Sequence, residues 1–287
     1  MELLDAQPSV LKSVGFPWKP ITIAPIGDLQ VGSEGFGETR FKRYMERMLE
    51  RDAYFIGMGD YSDFMSPSNR QRLKTAAFYD TSQQFIEKAV EQSLEELKEL
   101  LKPTKGRWLG LLQGHHYYEF DPMTTTDTEL ARYLEAPFLG DCAMLRVAFK
   151  NLSRNRRQSV TIWAHHGAGS GVSAVSALTK LERYAGYVDA DILMMGHQSK
   201  RGYLPKPRFG MSLKAQKGQP HLESRTQHLV ATGSWMEGYH VGKPSRGRPQ
   251  GSYVEKAMMV PVSLGGMVIT LTPRDTEVLV HVEGGDE

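Results

Sequence analysis

Carboxylates and imidazoles stand at the ends of five short apolar runs in this chain. Asp28 ends ITIAPIGD, Asp60 ends YFIGMGD, His115 and His116 follow RWLGLLQG, His165 and His166 close SVTIWAHHG, and His197 follows DILMMG. Side chains of these two kinds are the ligands of zinc, manganese and iron ions. A carboxylate at the tip of a buried strand is costly unless something compensates its charge, and a cation would do so. The glycines that precede Asp28, Asp60, His115 and His197 let the backbone turn sharply and approach a charged centre closely. Taken singly, a Gly-Asp after a strand reads as a turn or cap, and one histidine as a satisfied polar residue. Recurrence at five equivalent points directs the reading to one metal centre.

Such a centre needs a scaffold that brings five loops together. Residues 39–51 place Phe41, Tyr44 and Met48 on one helical face, and residues 82–101 do the same with Phe85, Ala89, Leu97 and Leu100. Pro103 and Gly106 stop the second helix, and VSAVSALTKLERYAG predicts a third. Strands separated by helices predict a layered α/β fold with a mostly buried sheet. In such sheets ligand sites form outside the carboxyl ends of the strands, where the acidic and histidine-bearing loops fall. Past residue 200 the texture changes: Pro, Gly, Lys and Arg dominate to Gln250, after which MMVPVSLGGMVITLTP and EVLVHVE predict closing antiparallel strands. The chain is expected to be a single domain over residues 1–287, with a basic loop or hairpin elaboration at about 200–250.

The chain has 287 residues, 40% hydrophobic and 24% charged, an ordinary globular composition with a substantial core. A net charge of +2 implies no partner by itself. Cys142 is the single cysteine, which precludes an intrachain disulfide and fits a reducing compartment. No basic stretch followed by an apolar run opens the sequence, and no apolar run reaches the roughly 18 residues of a membrane span. A soluble, cytoplasmic protein without a membrane partner is the expectation; the oligomeric state is left open.

The ordered set GD-x-x, GDxxD, G-x-H, HH and GH resembles the calcineurin-like metallophosphoesterase superfamily over about residues 21–200, most specifically in GDYSD and GHH. The resemblance implies a four-layer αββα sandwich, two mixed β-sheets flanked by helices, with two divalent metal ions at the sheet ends. Asp60 would bridge the ions beside the attacking water, and Asp28 would bind the first. His115, where the family usually has Asn, would bind the second with His197 and one of the pair His165/His166. His165 is the expected member of that pair, leaving His166 behind it. His116 matches the histidine that faces the phosphate and protonates the leaving oxygen, and Asp63 matches the acid of the GDxxD block, which would orient the site from behind the ligands. Two positions depart from the pattern. Gln30 stands where Asp-x-His has its imidazole, and Ser199 stands at the matching place in Gly-His-x-His. Both changes fall on the first metal, whose site would then hold Asp28, Asp60, the Gln30 carbonyl, and water or Ser199, an oxygen-dominated, weak site suited to Mn²⁺ or Mg²⁺, with Fe and Zn as alternatives.

The substrate this implies is a phosphodiester, and the basic stretch suggests DNA or RNA. Lys200, Arg201, Lys206, Arg208, Lys214, Lys217, Arg225, Lys243, Arg246 and Arg248 face only Glu223 and Glu237 over residues 200–250, with Tyr203, Phe209, Trp235 and Tyr239 interleaved. Basic side chains pair with phosphates and aromatics stack on bases, although a solvated basic loop reads the same way. Lys200, Arg201 and Tyr117 are the expected substrate contacts. Rival motifs fit poorly: GAGSG at 167–171 lacks the Gly-Lys-Ser/Thr ending of a P-loop, and no His-Glu-x-x-His is present. A rival of another class is a nucleic-acid-binding protein that keeps this fold with weakened catalysis, or else a phosphomonoesterase.

Overall fold

Continuous apolar runs such as Trp108–Leu112 and Ile192–Met195 become strands buried along their whole length, because helices or a second sheet cover both faces. A computed structural model describes residues 10–75, 80–169, 171, 173–211, 221–239, 253–256, 258 and 260–285. The first half contains β1 (Val10–Pro17), β2 (Ile21–Ile26), α1 (Glu38–Glu50), β3 (Tyr54–Gly57), α2 (Pro67–Thr75), α3 (Asp80–Leu101) and β4 (Trp108–Leu112). Then come β5 (Glu119–Asp121), β6 (Thr124–Thr125), α4 (Thr126–Tyr133), β7 (Phe138–Gly140), β8 (Cys142–Asn151) and β9 (Arg156–His165). The remainder is α5 (Ser176–Tyr184), β10 (Ile192–Met195), β11 (Arg201–Met211), β12 (Leu222–Ser234), α6 (Tyr253–Lys256), β13 (Gly265–Pro273) and β14 (Val278–Gly284).

Twelve strands form one curled, mixed path in the order β1-β8-β9-β10-β12-β13-β2-β3-β4-β7, with β11 on β12 and β14 on β13. Among the described residues its two halves pair where β12 meets β13, through Gly233 opposite Gly266 and Ser234 opposite Gly265. Their inner faces meet in the central core, where Ile23, Ile56 and Ile269 pack with Val147, Phe149, Ile162 and Met194. Outside the β13-β2-β3-β4 half lie α1, α3 and α4, packed through Phe41, Tyr44, Leu97, Leu101 and Leu130. Outside the β9-β10-β12 half lies α5, packed through Ala177 and Leu181 against Trp163, Leu193 and Leu229. The order of layers is helix, sheet, sheet, helix, as the resemblance implies.

β2, β3 and β4 run parallel, as do β9, β10 and β12, so each half directs its carboxyl ends to one edge. The loops after β2 and β3 remain zipped beyond the strands: Gln30 N–H donates to Asp60 O at 3.1 Å and Val31 N–H to Tyr61 O at 3.0 Å.

Two regions differ from the sequence expectation. The basic region holds a hairpin, β11–β12, but β12 lies between β10 and β13, so its inner half is part of the sheet and not an elaboration on it. Trp235, grouped with the aromatics of that region, is 1% exposed and packs edge-on against Phe41 at 5.1 Å, so it belongs to the core. The helix expected over residues 172–186 begins only at Ser176. Lys200 Nζ donates to the Gly171 carbonyl and, at 2.9 Å, to Ser176 Oγ at the first residue of the helix. Among the described residues no helix is long and apolar enough to cross a membrane. Ile162, fully buried between the sheets, tests this core: Ile162→Ala should lower unfolding free energy by about 2–5 kcal/mol in urea titration.

Candidate metal centre

Asp28, Asp60, His115, His116, His166 and His197 all follow the carboxyl ends of strands, and the curl of the sheet brings their loops together. One ligand atom each from Asp60, His115, His166 and His197 lies within 4.8 Å of the others. The imidazoles pack against one another, with ring centroids 4.6 Å apart for His115 and His166, 4.6 Å for His115 and His197, and 5.1 Å for His166 and His197.

Asp60 is the hub. It is 2% exposed, its Oδ1 accepts the backbone N–H of His115 and, at 3.0 Å, that of His116, and its Oδ2 lies 3.3 Å from His166 Nε2. The last is an ion-pair distance without the alignment of a hydrogen bond. Burial opposes ionisation of Asp60, but His166, His116 and the His115 N–H outweigh it and hold the carboxyl well below its usual range. The turn depends on Gly114, where an added Cβ would sit 2.1 Å from Asp60 N and 2.3 Å from its Oδ1.

Asp28 is fully buried. Its Oδ2 accepts the His197 N–H at 2.8 Å, while Oδ1 has no partner among the described residues. Burial pushes its carboxyl up to about 7, with the neighbouring Asp60 adding to the rise and His166 opposing it. Burial opposes protonation of His166, but Asp60 beside Nε2, Asp28 and the Met58 carbonyl 2.6 Å from Nδ1 outweigh it and raise the imidazole to about 9, so in the metal-free protein both ring nitrogens carry hydrogen. Burial also keeps His115 below its ordinary range and His197 at about 4, so both imidazoles are neutral. Their Nδ1 atoms face each other at 3.1 Å.

This donor set fits a divalent cation. The neutral imidazoles of His115 and His197 converge on an ionised carboxylate, His166 is fixed at Nδ1 by a backbone carbonyl so that Nε2 would exchange its proton for the ion, and a buried carboxylate oxygen beside them is orphaned. The four-residue group would hold one ion, and Asp28 Oδ1 offers an oxygen next to it.

The expected member of the histidine pair changes here. His166 joins the group, whereas His165 points to the other face of β9, accepts the Gly167 N–H on Nδ1 at 2.7 Å, and packs near Trp163. Successive residues of a strand face opposite sides, so one of the pair had to point away. His116 lies beside the group, with Nδ1 2.8 Å from Asp63 Oδ1. That bond raises the imidazole pKa against the effect of burial. Gln30 and Ser199 sit on the same turns as Asp28 and His197, and Gln30 uses its backbone, donating to Asp60 O and accepting from Ser33.

The three expected substrate contacts are engaged otherwise. Lys200 is 7% exposed and its ammonium is spent on Gly171 and Ser176. The Arg201 guanidinium lies against Gly284, whose added Cβ would be 3.5 Å from it. Tyr117 lies under the guanidinium of Arg70. Residues missed from sequence are Arg70, on a helix without a motif, and Asp127, a fully buried acid in the first turn of α4 that accepts the Gly114 N–H at 2.9 Å. The Thr125–Thr128 capping box marks the start of α4, and Asp127 lies just inside it.

No family model matches the chain, and no curated protein matches it. Vacuolar protein sorting 29 from Cryptosporidium parvum is a structural neighbour at 14% identity and a TM-score of 0.39, over 92% of this chain and 97% of that one. A second is a conserved uncharacterized protein, described as a predicted phosphoesterase, from Streptococcus pneumoniae, at 11% identity and 0.33, over 93% and 91%. A third is Vps29 complexed with Zn²⁺ from Entamoeba histolytica, at 15% identity and 0.29, over 66% and 89%. Likenesses this slight carry no argument about the chemistry of this chain.

The raised pKa of Asp28 has a testable sign. The folded state binds this proton more tightly than the unfolded chain, so stability falls as pH rises from about 4 to about 7. In the metal-free protein Asp28→Asn should raise the melting temperature at pH 7.5 and leave it nearly unchanged at pH 4. Added Zn²⁺ or Mn²⁺ should then stabilise the wild type more than the variant, read by calorimetry.

Proposed function

We propose that this chain is a metal-dependent phosphoric ester hydrolase acting on phosphodiesters. The observation that carries the reading is the convergence of Asp60, His115, His166 and His197, with the His116–Asp63 pair beside them. Asp60, His115, His166 and His197 would hold a divalent ion, with Asp28 contributing an oxygen toward a second. Bound there, a divalent ion neutralises phosphoryl charge and acidifies water at neutral pH.

The chain's own residues supply the rest. The backbone N–H groups of His115 and His116 hold the Asp60 carboxylate ionised and fixed in direction. Met58 keeps the hydrogen on His166 Nδ1, so Nε2 would be the nitrogen that gives up its proton to a bound ion. Asp63 accepts from His116 Nδ1, which favours the protonated ring and leaves Nε2–H to donate to the leaving oxygen. A positioned general acid of this kind contributes about 10²–10⁴-fold. His116→Ala should therefore bind metal normally and lose most turnover of an aryl phosphodiester, and chelation should abolish turnover of the wild type. Unchanged turnover in His116→Ala would remove the residue from the reaction, and absence of any metal-dependent turnover would favour a binding protein on this fold.

Gln30 and Ser199 support an asymmetric centre, since imidazoles are absent only on the Asp28 side. Gln30→His should increase affinity for a second equivalent of metal in calorimetric titration; an unchanged second equivalent would count against the asymmetry.

For a polynucleotide substrate the described part of the basic region offers few free cations. Lys206 pairs with Glu182 at 3.4 Å, Arg208 with Asp189 at 3.7 Å, and Arg225 with Asp189 at 2.9 Å and Asp191 at 3.2 Å. Lys214, Lys217, Lys243, Arg246 and Arg248 lie outside the described residues. DNA or RNA as substrate rests on those five. Binding that weakens steeply with salt would support it, and binding that is absent or insensitive to salt would limit the substrate to smaller diesters.

A further inference from the structure

We propose that Arg70 is a positioning residue for the His115–Tyr117 segment, fixing the imidazoles of His115 and His116 by holding the backbone between them. The proposal rests on the metal-centre reading above. Arg70 stands on α2, outside every motif visible in the sequence, and is half-buried. Its Nη1 lies 2.5 Å from the His115 carbonyl, 3.0 Å from that of Tyr117 and 2.8 Å from that of Met65. One Nη atom carries two hydrogens, so three carbonyls share them in a bifurcated arrangement. The guanidinium carbon lies 3.8 Å from the centre of the Tyr117 ring, a stacked cation–π contact.

The carbonyls of residues 115 and 117 bracket His116, and the same backbone is held from its amide side. Gly114 N–H goes to Asp127, while the N–H groups of His115 and His116 go to Asp60. The His116 carbonyl accepts from the N–H groups of Phe64 and Met65, both at 3.1 Å. With Arg70 in place, the peptide groups on both sides of His115 and His116 are tied, and neither side chain can swing by backbone rotation. Without it, the carbonyls of His115 and Tyr117 lose their one shared donor. The directions that bring His115 Nδ1 to His197 and His116 Nδ1 to Asp63 would relax. Lysine cannot replace this arginine fully, because an ammonium is a point donor with no plane to stack on Tyr117.

Arg70→Ala and Arg70→Lys test the assignment. Arg70→Ala should bind Zn²⁺ roughly 10–100-fold more weakly in chelator competition, the range found when groups that orient metal ligands are removed. Turnover of an aryl phosphodiester should fall through kcat with KM little changed. Arg70→Lys should recover part of both losses, as should guanidinium ion added to Arg70→Ala. In histidine-labelled NMR spectra of the metal-free protein, the His115 and His116 signals should shift while those of His228 and His281 stay in place. Wild-type zinc affinity with unmoved His115 and His116 signals in Arg70→Ala would overturn the proposal, as would an effect confined to KM. If Arg70→Ala fails to fold, Arg70→Lys decides: full wild-type zinc affinity, kcat and histidine signals would overturn it. Metal affinity and NMR are independent of turnover, so a wild type that binds zinc without hydrolysing esters would sink the hydrolase reading and leave this test standing.

Discussion

The ionised, buried carboxylate of Asp60 is the constraint on which the centre depends. A carboxylate at 2% exposure is tolerable only with charge and hydrogen bonds on every side. Here two consecutive N–H groups of the loop after β4 and the imidazole after β9 supply them. With Asp60 itself after β3, these groups come from three strand ends, so satisfying one carboxylate ties three loops and both halves of the sheet to one point. Asp28 adds a fourth loop through the His197 N–H. Its second oxygen stays unsatisfied, so the polar network is complete at Asp60 and incomplete at Asp28. A divalent cation would complete it.

Backbone conformation records the same demand. Asp28, Gln30, Asp60, His197 and Ser199 all have φ between +49° and +64°, a region that side chains other than Gly enter at a cost of order 1–3 kcal/mol. Asp and His enter it more readily than most residues. Gln and Ser have less intrinsic reason to be there. The turns Gly27-Asp28-Leu29-Gln30 and Gly196-His197-Gln198-Ser199 thus share an alternation of left-handed residues on both sides of the centre. That geometry aims the N–H of His197 at Asp28 and the N–H of Gln30 at the Asp60 carbonyl. Both turns share this geometry although neither Gln30 nor Ser199 carries an imidazole.

Around this point the packing is conventional. Three apolar layers hold four structural layers together, and the narrow β12–β13 junction lets one sheet path fold over itself. Trp235, one residue past that junction, packs with Phe41 and Tyr44, and the Tyr44 hydroxyl donates to the Met267 carbonyl at 2.8 Å. The junction is therefore stiffened by aromatic packing beside the strand ends that carry the site. The hairpin beyond it is tied to α5 and the turn that follows by acid–base pairs, which engage Lys206, Arg208 and Arg225 among the described residues.

Local chemistry was readable from sequence wherever it repeats along the chain. Apolar runs ending in Gly-Asp or Gly-His marked β2, β3, β4 and β10, one ending in His-His marked β9, and amphipathic spacing marked α1 and α3, because side-chain periodicity is a property of a segment alone. Elements whose burial depends on a distant partner were not readable: β1 exists through its parallel pairing with β8, and α4 through its contact with the loop after β4. The sequence by itself determined the layered class, the strand-end placement of the acids and histidines, and the shortage of imidazoles beside Asp28. Tertiary structure alone decided which histidine of the pair at 165 and 166 faces the centre, since strand alternation allows either and only the position of Asp60 selects. It likewise decided that Lys200 turns inward and that Arg70 grips the loop after β4, because those roles are set by carbonyl groups brought near by folding, which no local pattern encodes.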